Sequence, residues 1–283
     1  MFDNRKIAFI GPGVMAEAMI AGLIRRKTAP ASSLITAGPR QERLDELCKL
    51  YAITCTTDNS AAASQAEVVV LSVKPQRLTR VLSGLKGSIK PQALVLSIVA
   101  GAPINKISLG LDHDLVVRSM PNTPAQIGEG ITVWTASPEV SLEQREIARQ
   151  ILTALGDEVF VEEENYLDMA TALSGTGPAY VFLFMEAMID AGVHLGFPRR
   201  IAEQLVTQTM RGSVDFYIQR GGPLHLASLR NQVTSPGGTS AAALYYLEKA
   251  GFRTAISRAI WAAYERSQEL GKEAKGTPPP NTE

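Results

Sequence analysis

The 283-residue sequence has little of what metal sites and disulfide-rich folds need. It contains two cysteines, Cys48 and Cys55, and three histidines, His113, His194 and His225. Neither set has the spacing of metal ligands or of a disulfide framework. We therefore expect no metal site, and we expect the two cysteines to be structural, buried or reduced, as free cysteines commonly are.

Excess charge is also missing. The chain has 28 Lys and Arg against 28 Asp and Glu, so its formal net charge is zero. Nucleic-acid-binding proteins usually show a basic excess, and we expect no nucleic-acid partner. No uninterrupted apolar run reaches about 18 residues, so we expect no membrane span. Charged residues near the first methionine argue against a secretory signal peptide, and we expect a cytoplasmic protein.

Up to about residue 163, short apolar runs alternate with helical stretches. The runs are nearly continuous, as in strands buried on both faces of a parallel sheet. Candidate strands are Lys6–Ile10, Leu34–Thr36, Ile53–Thr56, Val68–Val73, Leu94–Ile98, Leu115–Arg118, Ile131–Thr135 and Glu158–Val161. Candidate helices include Met15–Arg26, Gln41–Tyr51, Arg77–Leu82 and Leu142–Leu155. This alternation predicts a Rossmann-like, doubly wound α/β sheet.

After Asn165 the strand pattern stops and helical periodicity takes over. Asn165 is predicted to cap a helix over Tyr166–Leu173, and the Ser-Gly-Thr-Gly-Pro sequence at 174–178 is predicted to interrupt it. The next helix, Ala179–Leu195, is apolar on all sides, so it must be covered on all sides. We favour an intertwined subunit interface as the cover, with the core of a single chain as the alternative.

These patterns divide the chain into three parts. We predict a dinucleotide-binding domain over residues 1–164 and an all-α dimerisation and substrate domain over 165–270, with Phe252–Leu270 as the last helix. Residues 271–283 are rich in Gly, Pro and charge, and they are predicted to form a disordered tail.

The first strand leads directly into Gly11-Pro12-Gly13-Val14-Met15-Ala16, which has the G-x-G-x-x-A pattern of dinucleotide-binding turns. In that pattern the first glycine permits the tight turn and the second lets the backbone approach a pyrophosphate. The helix that follows offers free N–H groups and a positive dipole end to the phosphates. A dinucleotide cofactor is therefore expected here.

The end of the second strand bears on which cofactor binds. NAD-specific sites usually place Asp or Glu there for the ribose hydroxyls. This sequence instead has Ala37, Gly38, Pro39 and Arg40, with Arg43 one helical turn later. A small residue beside arginine suits a 2′-phosphate, so NADPH is favoured and NADH remains possible. A merely solvated arginine is the alternative.

Further candidates follow later strands or open a later helix. The loops Val73-Lys74-Pro75, Ser97–Gly101 and Arg118–Pro124 all fall at the carboxyl edge of the predicted sheet, where open α/β folds bind ligands. In the helical part, Ser-Pro-Gly-Gly-Thr-Ser at 235–240 opens a helix and suits a carboxylate. A helix start without a ligand is the alternative reading of that loop.

Seven segments in this order resemble the pyrroline-5-carboxylate reductase family: GPGVMAEAMI, VKPQ, SIVAG, RSMPNTPA, LSGTGPAY, DAGVHLGFPR and VTSPGGTS. The resemblance covers about residues 5–270. It implies reduction of 1-pyrroline-5-carboxylate, a cyclic imine carboxylate, to L-proline by NADPH or NADH, the last step of proline biosynthesis. It also implies a Rossmann domain and a helical dimerisation domain, with each active site formed between one subunit's nucleotide domain and its partner's helices. Dimers of the family commonly assemble into decamers.

The resemblance also assigns residues to the two ligands. The implied cofactor-binding residues are Gly11, Pro12, Gly13, Val14, Met15, Ala37, Arg40, Asn59, Val73, Lys74, Pro75, Ile98, Val99, Ala100 and Gly101. The implied substrate-binding residues are Val233, Ser235, Gly238, Thr239 and Ser240. Ser240 is also the candidate catalytic residue, because its hydroxyl would contact the ring nitrogen. The family usually has threonine there, so the hydroxyl is kept but the rotamer preference of threonine is lost.

Two other functions are compatible with the domain plan. A β-hydroxyacid dehydrogenase needs a lysine at the start of its long central helix, but the corresponding stretch, Leu173–Tyr180, has none. A non-catalytic dinucleotide-sensing module would keep the glycine turn but would not need the loop at 233–240.

Overall fold

The computed structural model describes residues 5–220 and 225–273, and its centre is a sheet of eight strands. The strands are β1 Ile7–Ile10, β2 Leu34–Ala37, β3 Thr54–Thr56, β4 Val68–Leu71, β5 Leu94–Ser97, β6 Val116–Met120, β7 Gly130–Ala136 and β8 Gly156–Phe160. They lie in the order β3-β2-β1-β4-β5-β6-β7-β8, and every neighbouring pair is parallel except β6 and β7. The predicted doubly wound sheet is confirmed.

The strand sequences are apolar throughout because both faces of the sheet are covered. In β1, Ile7 and Phe9 join the core on one face, whereas Ala8 and Ile10 join the core on the other. All four residues are fully buried. The chain order reverses on either side of β1, with β2 on one side and β4 on the other. Open α/β sheets bind ligands at such a switch point, outside the carboxyl ends of the strands.

Helices connect the strands on both faces. They are α1 Val14–Arg25, α2 Gln41–Tyr51, α3 Asn59–Gln65, α4 Pro75–Leu85, α5 Ile104–Leu111 and α6 Leu142–Leu152. The helix α4 begins two residues earlier than predicted, because Pro75 occupies its first turn, where its missing N–H costs nothing. The strand β4 correspondingly ends at Leu71, so Ser72 and Val73 belong to the loop.

The remaining elements are helical, as predicted. They are α7 Tyr166–Ala170, α8 Gly177–His194, α9 Arg199–Gln219, α10 Leu226–Gln232, α11 Thr239–Lys249 and α12 Phe252–Glu273. The chain divides into two compact units: a sheet unit, made of residues up to Thr176 and from Ala262 onward, and a helical unit, Gly177–Trp261. The sheet unit thus contains α7, which lies beyond the predicted boundary at residue 164. Most of the predicted tail, from residue 274, lies outside the described residues.

The predicted break after α7 is wrong. Residues Thr171–Gly175 form a π-helical turn, and α8 follows at Gly177, so the chain does not leave the helical path. Asn165 precedes α7, but its side chain accepts no capping hydrogen bond and its backbone is already helical, with φ −61° and ψ −25°.

The helix α8 has no buried residue within the single chain, and Phe182 and Leu183 are 62% and 67% exposed. By length and composition, the helical stretch Tyr166–His194 is apolar enough to cross a membrane, so the expectation of no membrane span stays a prediction. These two criteria do not distinguish a membrane span from a helix that other protein covers.

The two cysteines also differ from the expectation. Cys48 in α2 and Cys55 in β3 form a disulfide, with their Cα atoms 6.2 Å apart, so the prediction of reduced cysteines is wrong. Both are half-buried rather than buried. Each sulfur also lies close to a backbone carbonyl oxygen, that of Ile53 at 3.2 Å from Cys48 and that of Leu44 at 3.3 Å from Cys55.

Candidate active site

The turn between β1 and α1 requires glycine at its first position. Gly11 has φ +108°, and a Cβ atom there would lie 2.8 Å from Cγ1 of Val73 and 2.9 Å from the carbonyl oxygen of Ser72. The Ser72 hydroxyl donates to the carbonyl oxygens of Ile10 (3.1 Å) and Gly11 (2.8 Å). The β1 turn is thereby fixed to the loop after β4, so the two loops form one edge of the site.

The start of α1 is free to bind an anion. Gly13 is the N-cap, and no side chain caps the helix. The amide of Gly13 already donates to the carbonyl oxygen of Gly11 at 2.8 Å. The amides of Val14, Met15 and Ala16 have no acceptor within the helix, because the first turn of an α-helix leaves its N–H groups unpaired. These amides and the helix dipole suit a pyrophosphate.

The end of β2 packs directly against this turn. The Gly11 amide donates to the carbonyl oxygen of Ala37 at 2.9 Å. A Cβ atom on Gly38 would lie 2.3 Å from Cδ of Pro12, so only glycine fits there. Ala37 is fully buried in the core, whereas Arg40 is exposed and immediately precedes α2.

Arg43 is held by partners within the sheet unit. Its guanidinium forms ion pairs with Glu17 and with Glu46, and its Nε donates to the carbonyl oxygen of Pro12 at 3.2 Å. The hydrogen bond that Arg43 donates to Glu17 raises the pKa of Arg43, against the opposing effect of burial. Burial and a hydrogen bond to the same carboxylate raise the pKa of the Tyr51 phenol. Arg43 therefore holds the glycine turn in place rather than facing a ligand.

A cleft of about 830 Å³ opens beside these loops. Its lining residues come from the ends of β1, β2 and β4, the start of α3 and one face of α4: Gly11, Gly38, Pro39, Arg40, Thr57, Asn59, Ser60, Val73, Lys74, Arg77, Arg80, Val81 and Gly84. Five of the predicted cofactor residues are therefore brought together here. Asn59 is the most informative of them, because its Oδ1 atom is buried and has no hydrogen-bond partner. A buried acceptor of this kind calls for an external donor such as a ribose hydroxyl.

The other predicted cofactor residues lie along the same edge of the sheet but do not line this cleft. Pro12 to Met15 form the glycine turn and the start of α1, and Pro75 begins α4. Residues 98–101 follow β5, the strand next to β4; Val99 is buried and Gly101 has φ +64°. The backbone of this loop is held by the Ser97 hydroxyl, which accepts from the Val99 amide at 3.2 Å.

The third loop at this edge has structural contacts. Arg118 is 4% exposed and pairs with Glu164 (2.9 Å) and Asp168 (3.1 Å). Asn122 donates to the carbonyl oxygen of Ser174 and accepts from the amide of Ile131. These polar side chains have their partners within the sheet unit, so nothing in them calls for a ligand.

The predicted substrate loop lies in the helical unit, between α10 and α11. Gly238 is the N-cap of α11, and no side chain caps this helix either. The amide of Gly238 already donates to the carbonyl oxygen of Ser235 at 3.0 Å. The free amides are therefore those of Thr239, Ser240 and Ala241, in the first turn of the helix. Val233 and Ser235 are exposed, and Ser240 is half-buried.

Comparisons with known proteins agree on one family. The family described as pyrroline-5-carboxylate reductase dimerisation matches residues 164–270, and the family described as NADP oxidoreductase, coenzyme F420-dependent, matches residues 6–101. A pyrroline-5-carboxylate reductase of Synechocystis is 45% identical over 94% of this chain and 98% of its own length. The pyrroline-5-carboxylate reductase of Pseudomonas aeruginosa is 40% identical over 95% of this chain and 97% of its own length. The chain belongs to the pyrroline-5-carboxylate reductase family.

The fold of a solved relative agrees as well. The crystal structure of the Plasmodium falciparum pyrroline carboxylate reductase, which has NADP bound, superposes with a TM-score of 0.86 at 32% identity, covering 95% of this chain and 99% of that one. The predicted family, fold and enzyme class are confirmed. The protein is an NADP-dependent oxidoreductase that reduces 1-pyrroline-5-carboxylate to L-proline. The dehydrogenase and sensing-module alternatives are not supported.

Six residues that line the reductase cleft were not among the predicted site residues: Thr57, Ser60, Arg77, Arg80, Val81 and Gly84. Thr57 and Ser60 flank Asn59, and Arg77 and Arg80 lie three residues apart on α4. The signal for the arginines was present, because α4 buries Leu78, Leu82 and Leu85 and so turns positions 77 and 80 away from the core. What the periodicity could not tell is whether that outer face meets solvent or a ligand.

Proposed function

We propose that the reductase binds NADPH along the carboxyl edge of the sheet and takes its substrate at the start of α11. The proposed cofactor contacts are Gly11, Pro12, Gly13, Val14, Met15, Ala37, Arg40, Asn59, Val73, Lys74, Pro75, Ile98, Val99, Ala100 and Gly101. The proposed substrate contacts are Val233, Ser235, Gly238, Thr239 and Ser240. The observation that carries the cofactor site is the buried, unpartnered Oδ1 of Asn59 in a cleft that begins at the glycine turn.

Each part of the cofactor would meet a different feature of the chain. The amides of residues 14–16 would bind the pyrophosphate, and Asn59 would accept from a ribose hydroxyl. Arg40 would lie near the 2′ position of the adenosine, which favours NADPH over NADH. The loops around Lys74 and residues 98–101 would hold the nicotinamide end. When bound, NADPH supplies the hydride; the chain supplies position and exclusion of water.

The start of α11 would hold the substrate carboxylate. The amides of Thr239, Ser240 and Ala241 are free of backbone acceptors, and the positive end of the helix dipole favours an anion. The amide of Gly238 already donates to the carbonyl oxygen of Ser235. Gly238 would instead let the substrate approach the backbone closely, because it has no side chain. The Ser240 hydroxyl would contact the ring nitrogen and hold the C=N bond in register for hydride attack.

This mechanism needs no strong acid or base from the chain. The imine nitrogen is readily protonated near neutral pH, and the iminium accepts a hydride on carbon, which leaves the secondary amine of proline. The rate gain would come from holding the two reacting carbons in a near-attack geometry, where effective molarities are large.

A second copy of the chain is the proposed cover for α8. The dimerisation family spans the helical unit, and the exposed Phe182 and Leu183 lie within it. We propose a homodimer with the active site completed by the partner, dimers associated into decamers, and a cytoplasmic location. The Cys48–Cys55 disulfide weighs against the location, because the cytosol keeps most thiols reduced. Light scattering without detergent tests the assembly: a monodisperse multiple of the 30.4 kDa chain supports it, and aggregation that detergent reverses supports a membrane instead.

The reaction is tested by NADPH oxidation with 1-pyrroline-5-carboxylate, with hydroxyacids and without substrate. Ser240→Ala should lower kcat about tenfold or more, because it loses one hydrogen bond to a charged ring nitrogen, while NADPH affinity stays the same. Ser240→Thr, which restores the family residue, should keep turnover. Ser213→Ala removes an exposed hydroxyl that bonds only within α9 and serves as the control. Wild-type turnover in Ser240→Ala would remove Ser240 from the mechanism.

A further inference from the structure

The proposed cofactor cleft carries a concentration of positive charge. Arg40, Lys74, Arg77 and Arg80 all line the same volume of about 830 Å³. Within residues 5–220 and 225–271, no ion pair or hydrogen bond engages any of the four side chains. The other arginine of this region, Arg43, is by contrast saturated by Glu17, Glu46 and Pro12.

No carboxylate balances this charge among the described residues that line the cleft. Asp58 lies between two cleft residues, Thr57 and Asn59, in the sequence. Its Oδ1 atom caps α3 by accepting from the amides of Ser60 and Ala61 at 2.9 and 3.0 Å. Like charges that share a cleft repel each other, and a bound anion reduces that repulsion beyond what solvent screening does. The cleft therefore suits a ligand that carries a further negative group besides the pyrophosphate proposed at α1.

The position of the two α4 arginines is fixed by packing. Leu78, Leu82 and Leu85 bury the inner face of α4 against the sheet, so Arg77 and Arg80, which are three residues apart, share the outer face. The Ser60 hydroxyl donates to the carbonyl oxygen of Gly84 at 2.8 Å, which ties the start of α3 to the end of α4. The face that carries the arginines is thereby held beside Asn59.

We propose that Arg77 and Arg80 are specificity-determining residues that, with Arg40, bind the 2′-phosphate of NADPH. Guanidinium groups bind phosphate oxygens in paired, charge-assisted hydrogen bonds. The ribose hydroxyl of NADH is neutral and cannot accept such a pair. The inference rests on the proposed cofactor cleft, and it adds that discrimination against NADH comes from α4 as well as from the loop after β2.

The test measures binding rather than turnover, with four probes: NADPH, NADH, 2′,5′-ADP and 5′-AMP. Arg77→Gln and Arg80→Gln should each weaken NADPH and 2′,5′-ADP about tenfold or more, since one charge-assisted hydrogen bond is lost. NADH and 5′-AMP should change less than about twofold. The affinity of the wild type for 2′,5′-ADP should also fall more steeply with salt than that of Arg77→Gln, because a charge pair is being screened.

Two control variants separate this inference from the cofactor cleft itself. Arg26→Gln removes an exposed arginine at the far end of α1, outside the cleft, and should leave all four affinities unchanged. Asn59→Ala should weaken NADPH and NADH alike, because the ribose is common to both. If Asn59→Ala has no effect on either dinucleotide, the cofactor cleft is wrong.

The outcome for the arginines is read separately. An equal loss of 2′,5′-ADP and 5′-AMP affinity in Arg77→Gln and Arg80→Gln would overturn the assignment to the 2′-phosphate, since the arginines would then contact a group that both probes share, such as the 5′-phosphate or the adenine. Unchanged affinity for all four probes would overturn it as well. A loss confined to NADPH and 2′,5′-ADP, the two probes that carry a 2′-phosphate, supports it.

Discussion

Gly38 and Pro12 approach each other so closely that a Cβ atom on Gly38 would lie 2.3 Å from Cδ of Pro12. The contact joins the loop after β2, which leads to Arg40, to the turn that would hold the pyrophosphate. Pro12 is a ring and cannot swing aside as a flexible side chain would. Two binding elements that are far apart in sequence therefore have one fixed spacing.

Gly38→Ala should separate these two loops. We expect NADPH affinity to fall about tenfold, because the loop with Arg40 and the glycine turn could no longer bind the adenosine and the pyrophosphate at the same time. Isothermal titration of NADPH into the variant measures this. Gly212→Ala is a matched control in α9, where a Cβ atom would meet only the end of Gln208 at 3.9 Å. Wild-type affinity in Gly38→Ala would mean that the loops adjust independently.

Asn59→Ala should affect binding and stability in different directions. The Oδ1 of Asn59 is buried without a partner, and such an atom costs about 1–3 kcal/mol in the free protein. Removing it should leave the free energy of unfolding unchanged or higher in the absence of cofactor. Dinucleotide affinity should fall about tenfold, equivalent to about 1.4 kcal/mol. Urea titrations with and without NADPH measure both; a large loss of stability without cofactor would show that Asn59 is structural.

The buried Arg118 should matter more to stability than any exposed ion pair. Arg118→Met leaves Glu164 and Asp168 without their shared cation, and breaking a buried pair costs about 3 kcal/mol or more. Arg5→Met breaks the exposed pair with Glu143 and should cost less than about 1 kcal/mol. Chemical denaturation of the two variants makes the comparison. Equal effects would contradict the role of burial.

The sheet could be predicted from sequence because burial and turn formation constrain residues that are consecutive in the chain. A strand buried on both faces must be apolar at every position, as in β1 and β4, and the glycine turn must follow the first strand for its backbone to reach a phosphate. Those requirements leave a pattern in consecutive residues.

The missed features depend on contacts between distant residues. Arg43 and Arg40 look alike in sequence, yet Glu17, 26 positions away, takes up Arg43 and leaves Arg40 free. Cys48 and Cys55 are seven residues apart, a spacing without meaning until α2 and β3 pack together. The turn at Thr171–Gly175 contains glycine and serine, which favour a break, but it stays helical, and Asn122 donates to the Ser174 carbonyl oxygen from 52 positions away.

Acid should weaken the amino edge of the sheet through Glu67. Its carboxylate accepts from the Lys6 amide at 2.6 Å and pairs with Lys90 at 2.7 Å. Burial tends to raise the pKa of Glu67, but the hydrogen bonds from Lys90 and Lys6 outweigh it and lower the pKa below the ordinary 4.5. A lowered pKa in the folded state contributes stability above about pH 4.5, which is lost as the pH falls through the folded-state value.

Glu67→Gln should therefore be less stable than the wild type at pH 7, by about 1 kcal/mol or less because the group is 40% exposed. The difference should shrink as the pH falls and vanish once the wild-type carboxylate is protonated. Glu42→Gln removes an exposed carboxylate from α2 and controls for the change in net charge. Urea denaturation of the three proteins from pH 7 down to about pH 3 gives the curves. Since only the ionised carboxylate binds Lys90 strongly, a difference that stays constant with pH would show that Glu67 acts through packing rather than charge.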